Sequence, residues 1–265
     1  MVTFETNGNS LFLTTRSNGQ TVRTQLTVNE PFSMSFDFTS ASEKAILGEL
    51  QAGKYTLLAY KGATGPSQVS AGLPTWFSVP FGSIFGRVMI DYTPQYQVYV
   101  FNQSKIAPNT VISMDVASNP ILLGNALNFL ADGSFTSAGT SPEGTITLKD
   151  QRPAGSPVVT VGLAGQVTLP TGTQYLPFCA FTLTPQGSIE MAPTESVALM
   201  AAQLNLVSGT VNANASAPGC SFTFNSANIA YELMVEPSTY AITNQPGTTP
   251  VNPMSSGEAL SFLNS

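Results

Sequence analysis

Residues 31–40, PFSMSFDFTS, place Phe32, Met34, Phe36 and Phe38 on one parity and Ser33, Ser35, Asp37 and Thr39 on the other. A period of two sends successive side chains to opposite faces of a strand, so the segment predicts a β-strand with one apolar face. The alternation recurs along the chain. TVRTQLTV (21–28), KYTLLAY (54–60), GRVMIDY (86–92), QYQVYVF (95–101) and TVISMDV (110–116) are each rich in β-branched or aromatic residues. A second series runs through GTITLK (144–149), PVVTV (157–161), GQVTL (165–169), QYLPFCAFTL (174–183), QLNLVSGTV (203–211), CSFTFNS (220–226) and IAYELMV (229–235). Turn clusters such as TNGN, ATGPS, SPEG, RPAGSP and APG separate them, within a total of 22 Gly and 19 Pro. The pattern amounts to roughly sixteen or seventeen short strands at β-sandwich spacing, an all-β chain.

Few helices interrupt the series. SASEKAILGEL sets Ser40 three residues before Glu43, a capping box in which each side chain satisfies a backbone donor of the other. NPILLGNALNFLADG offers Asn119 as N-cap, Pro120 at the first helical position and Gly133 as the stop. Its apolar residues cover more than one face, which predicts a helix packed against or between sandwiches. The tail SSGEALSFLNS repeats the capping signature with Ser255 and Glu258, after the linker TNQPGTTPVNP. VALMAAQLNLV reads equally as helix or strand.

The expected helix at 119–133 divides the strands nearly in half, about nine before it and about eight after, and eight antiparallel strands in two Greek keys make a jelly roll. The expected organisation is therefore two jelly-roll β-sandwiches in tandem, 1–118 and 134–243, joined by a helix at 119–133. A C-terminal linker and short helical arm follow at 244–265. A single jelly roll with a large insertion is the alternative.

Composition changes the picture of the outward faces. Charged residues are 9% of the 265-residue chain, against about 25% in a typical soluble domain, and hydroxyl and amide side chains take their place. Net charge is −6, with only nine Lys and Arg, nowhere clustered. The electrostatic footprint of a nucleic-acid binder is missing, and so is a polybasic lipid-binding patch. The opening MVTFETNGNS has neither the basic nor the apolar region of a signal peptide. Cys179 and Cys220 lie in separate strand-like runs and read either as two buried free thiols or as a cross-strand disulfide.

The chain contains no histidine, which excludes Ser-His-Asp and Cys-His catalysis and His-metal sites. No phosphate-binding loop of the G-x-x-x-x-G-K-[ST] type occurs. Glycoside hydrolysis needs only two carboxylates about 5 to 10 Å apart, and Asp91 and Glu232 lie in apolar runs; their parity nevertheless points both outward. Asp132 in LADGS and Asp150 in TLKDQRP do not form a loop of alternating acids, so no calcium site is expected. The sequence thus predicts no enzyme, no cofactor and no metal. Trp76 and Phe77 in LPTWFSVPFG, and Leu260, Phe262 and Leu263 in the tail, are the candidate subunit contacts, with core packing and a frayed tail as the respective alternatives.

Uncharged polar surface is cheap to desolvate compared with charge, and interface cores are depleted of Lys, Glu and Asp. The surface is suited to being covered by copies of the same chain. In strand count and division, and in the run CSFTFNSANIAYELMVEP with its look of a closing strand pair, the chain resembles the jelly-roll major capsid proteins of icosahedral viruses. It is most similar to the small double jelly-roll coats of tailless, membrane-containing bacteriophages. The resemblance implies a structural virion protein, the major capsid protein, forming trimers that tile an icosahedral shell with other virion proteins. It implies location in the virion and no catalytic residues. Many such coats have basic or amphipathic N-termini, and MVTFETNG departs from that, so neither direct nucleic-acid binding nor lipid contact is supported by this end. The competing expectation is a receptor- or glycan-binding β-sandwich of a phage spike or bacterial surface adhesin.

Overall fold

Period-two patterning becomes strand almost wherever it occurs. The computed structural model describes residues 2–7, 10–17, 20–26 and 31–265; Gly8 and Asn9 of the first expected turn, and Thr27 and Val28 of the first expected strand, lie outside them. A three-stranded antiparallel meander is formed by β1 (Val2–Asn7), β2 (Ser10–Ser17) and β3 (Gln20–Leu26). Next come β4 (Phe32–Asp37), the helix α1 (Ala41–Ala52), β5 (Thr56–Thr64), β6 (Leu73–Pro74), β7 (Phe77–Pro80), β8 (Arg87–Phe101) and β9 (Val116–Ala117). The middle of the chain supplies β10 (Asn125–Phe129), β11 (Phe135–Thr140), β12 (Ile146–Asp150), β13 (Val159–Leu169), β14 (Gly172–Pro177) and β15 (Phe181–Leu183). The last part adds β16 (Ser188–Ala202), β17 (Val211–Asn212), β18 (Gly219–Thr223), β19 (Ala230–Val235), β20 (Ile242–Asn244) and β21 (Asn252–Met254), and ends in a 3-10 turn at Leu260–Asn264.

Two mixed eight-stranded sheets make the body. One runs β11-β10-β12-β16-β18-β21, with β5 on β16 and β7 on β5; the other runs β14-β13-β8-β4-β19-β20, with β15 on β13 and β9 on β8. Leu57, Ala59, Leu148, Val197 and Leu199 of the first share one core with Phe32, Met34, Phe36, Val98, Val161 and Leu233 of the second. Two sheets facing across a common apolar layer are a β-sandwich arrangement. The apolar face read from PFSMSFDFTS is its centre: Phe32, Met34, Phe36 and Phe38 are all buried.

The expected division at 119–133 does not separate two sandwiches. Strands from either side of it pair in both sheets, β5 with β16, β8 with β13 and β4 with β19. One large core buries a greater share of its chain than two small ones, and the inward stripes of both halves merge into it. The β4–β19 and β10–β12 pairs are parallel, unlike the antiparallel Greek key.

Residues 119–133 are not a helix either. Asn125–Phe129 is a strand that turns into β11 through a tight hairpin. Asp132 Oδ1 accepts from the Ser134 backbone N–H and hydroxyl at 2.9 and 2.6 Å, and Gly133 takes φ +82°. The Asp-Gly pair is thus a hairpin turn, and the apparent helix stop was the turn itself. TVISMDV and QLNLVSGTV are mostly loop, joined by the Val111–Thr210 bridge and an Ile112 N–H bond to Gly209 O (2.9 Å). The capping box at Ser40 and Glu43 forms as expected, and α1 buries Ile46, Leu47 and Leu50.

Candidate functional site

Among the described residues, two places gather groups capable of chemistry. The first is a surface groove of about 470 Å³ on the outer face of the β8-β4-β19 sheet, lined by Ser35, Asp37, Glu43, Arg87, Glu232 and Gln245, among others. Register explains it: Ser35 lies beside Glu232 on β19, and Asp37 beside Arg87 on β8. Hydrogen bonds from Thr39, with Arg87 adding to them, hold the Asp37 carboxyl below its ordinary value. Gln245 Nε2 bonds Glu43 Oε1 at 3.3 Å and the Leu233 carbonyl at 3.4 Å. Glu232, expected to point outward, does so and joins this groove; Asp91 also faces out, beside Ser33 and Thr168, but does not line it.

The second lies inside the sandwich. Lys61 on β5 is fully buried and its Nζ sits 2.8 Å from Oε2 of Glu195 on β16. Tyr92 and Tyr96 reach across from β8. Their hydroxyls stand 3.1 and 2.7 Å from Glu195 Oε1 and 2.6 Å from each other. The ammonium lies over the rings of Tyr92 (4.7 Å) and Phe178 (5.5 Å), in the geometry of cation–π attraction. Burial pulls Lys61 below the ordinary lysine value against the opposing pull of Glu195. Burial, and then the Glu195 charge, raise Tyr92 and Tyr96 well above theirs. The phenols therefore stay protonated and act as donors.

Local backbone brings Glu195 inward. The β5–β16 register slips between Pro193, opposite Ala63, and Val197, opposite Lys61, leaving a bulge on β16. Glu195 sits in it with φ +56°, a region that non-glycine residues rarely occupy. Gly62 faces the bulge, where a Cβ would collide with the Leu263 carbonyl and Thr194 Oγ1. That carbonyl accepts a hydrogen bond from Thr194 Oγ1 at 2.7 Å. Neither charge was singled out from sequence, yet both carry a signal. Lys61 shares parity with the core residues Leu57, Ala59 and Ala63, and Glu195 with Ile189, Met191, Val197 and Leu199.

The expected subunit contacts are mostly interior. Trp76 and Phe77 are buried and pack against each other at 5.2 Å, with Trp76 edge-on to Tyr92 at 5.1 Å; Trp76 Nε1 has no hydrogen-bond partner among the described residues. Leu260 and Leu263 are buried against Leu58, Tyr60 and Met200 of their own chain, and Phe262 is half-buried beside them. The reason is that the tail covers the outer face of β5, so these apolar groups are already occupied. Both cysteines are free and buried. Burial pushes the Cys179 thiol up to about 12 and raises Cys220 as well, so neither is a nucleophile at neutral pH. Asp132 is committed to its turn, and Asp150 is bound by Arg152.

Comparison with protein-family models, curated proteins and solved structures finds no match to this chain.

Proposed function

We propose that this chain is a structural subunit of a virion shell, the major capsid protein, which self-assembles with other virion proteins into an icosahedral particle. The observation that carries the reading is a β-sandwich whose exterior is poor in charge yet bears exposed apolar side chains. Phe85 is 77% exposed, Val207 55% and Met89 51%. Such a surface loses little on being covered by a neighbour. On this reading the chain is a single jelly roll with a large insertion rather than two in tandem; the support for it is one shared core between two mixed sheets. Size-exclusion chromatography with light scattering and negative-stain microscopy test the reading. Trimers or shell-sized particles are expected; a protein that stays monomeric at high concentration overturns it.

A second reading is favoured by the groove at Asp37, Arg87 and Glu232, whose polar lining suits a hydroxylated ligand. On that reading the chain is a glycan-binding β-sandwich of a spike or adhesin. It should retain glycans on an array, lose them on Glu232→Gln, and fail to assemble.

A further inference from the structure

We propose that Lys61 and Glu195 condense into an intramolecular isopeptide bond, welding β5 to β16 inside the sandwich. The amine and the carboxyl are in contact at 2.8 Å, and ladder pairs on either side fix both strands. Pre-positioning of this kind converts a sluggish bimolecular condensation into a favourable intramolecular one. The bulge holds Glu195 in a sparsely populated backbone conformation, the kind of strain that persists where surrounding structure enforces a geometry.

Each step has a group in place. The Lys61 ammonium passes a proton to Glu195 Oε2, leaving a neutral amine and a carboxylic acid. The Nζ lone pair then attacks Cδ, and the C=O electrons move onto Oε1. That oxygen is the one against Tyr96 and Tyr92, so phenol protons meet the developing oxyanion as donors do in an oxyanion hole. A proton moves from Nζ to the Oε2 hydroxyl, the Cδ–Oε2 bond breaks, and water leaves. The product is a neutral secondary amide plus one water, with no oxidant or reductant needed. Burial assists by favouring the uncharged amine. The Glu195 side chain is 22% exposed while Lys61 is sealed, which gives the water a way out on the carboxyl side. The amide also removes two charges whose desolvation an ion pair only partly offsets.

The test is the intact mass of the purified full chain, denatured, after incubation at neutral pH. The expected mass is one water below that of the sequence, with a branched peptide joining the segments that carry Lys61 and Glu195. Lys61→Arg should restore the full mass. Glu195→Gln should stay at its full mass, because a carboxamide cannot take the Lys61 ammonium proton that the first step moves. Tyr96→Phe should lower the linked fraction in freshly prepared protein. A wild-type chain at full mass with no branched peptide overturns the proposal, and so does a deficit of one water that persists in Lys61→Arg.

Discussion

Two ion pairs among the described residues, each with one fully buried partner, have little in common beyond charge. Asp150 and Arg152 are two residues apart at the end of β12. The guanidinium grips the carboxylate through Nε–Oδ1 at 3.0 Å and Nη2–Oδ2 at 2.6 Å, over the Phe129 ring at 5.2 Å. Its side chain keeps 11% of its surface in water. Lys61 and Glu195 come from distant parts of the chain and meet only when β5 pairs with β16. The first pair is a local clamp that forms with its own strand end; the second depends on the whole sandwich. Fixing distant chain ends together carries a loop-closure cost that a local pair avoids, so the second pair reports on global folding and the first on a corner.

Breaking the comparison at its strong end comes first. Measured against freshly prepared chain at full mass, in which Lys61 and Glu195 are still an ion pair, Lys61→Met leaves the Glu195 carboxylate among phenols without a counter-charge, and should lower stability by about 3–5 kcal/mol in urea unfolding. Lys61→Met with Glu195→Leu removes both charges and should recover most of that loss, because hydrophobic replacement of a buried pair is often neutral. A double variant as unstable as the single one would show that the aromatic cage, rather than the unpaired charge, sets the loss. Asp150→Asn should cost less, about 1–3 kcal/mol, since the asparagine oxygen still accepts from the Arg152 backbone N–H and Nε that now bond Asp150 Oδ1. Equal losses from Lys61→Met and Asp150→Asn would erase the distinction between the pairs.

Alkaline titration separates them further. Tyr92, Tyr96 and Tyr99 are raised well above the ordinary tyrosine value, chiefly by burial. Their stabilising effect is complete below the unfolded value of about 10 and is lost as pH climbs beyond it, where the unfolded chain releases phenol protons that the folded chain retains. The urea midpoint should fall above that pH, with phenolate absorbance from these three appearing only on unfolding. The smallest effect is expected outside both pairs: Ser40→Ala removes the α1 cap and should cost about 1 kcal/mol by the same urea measurement.

Strand existence and facing were legible where alternation was unbroken, as in PFSMSFDFTS, and the α1 cap was legible because it is a contact three residues long. The helix expected at 119–133 failed because Pro120 and Gly133 punctuate a loop and a hairpin with the same residues that cap helices. The tandem division failed for a different reason. Strand order depends on partners far away in sequence, and nothing local in β5 says that β16 will lie beside it. The interior site shared that obscurity: a lysine and a glutamate on apolar parities can be noticed one at a time, but only the fold says that they face each other.

The tail that closes over β5 also sets an order of events. Leu58 and Tyr60 are hidden by Leu260 and Leu263, from the far end of the chain. A ribosome that has finished β5 must therefore make two hundred further residues' worth of chain, on the order of 10 to 40 s at typical synthesis rates, before that greasy face can be shut. During that interval the unfinished polypeptide carries an open sheet surface. A chaperone that holds such surfaces, or a pause that keeps neighbouring nascent chains apart, would have its greatest effect on yield here.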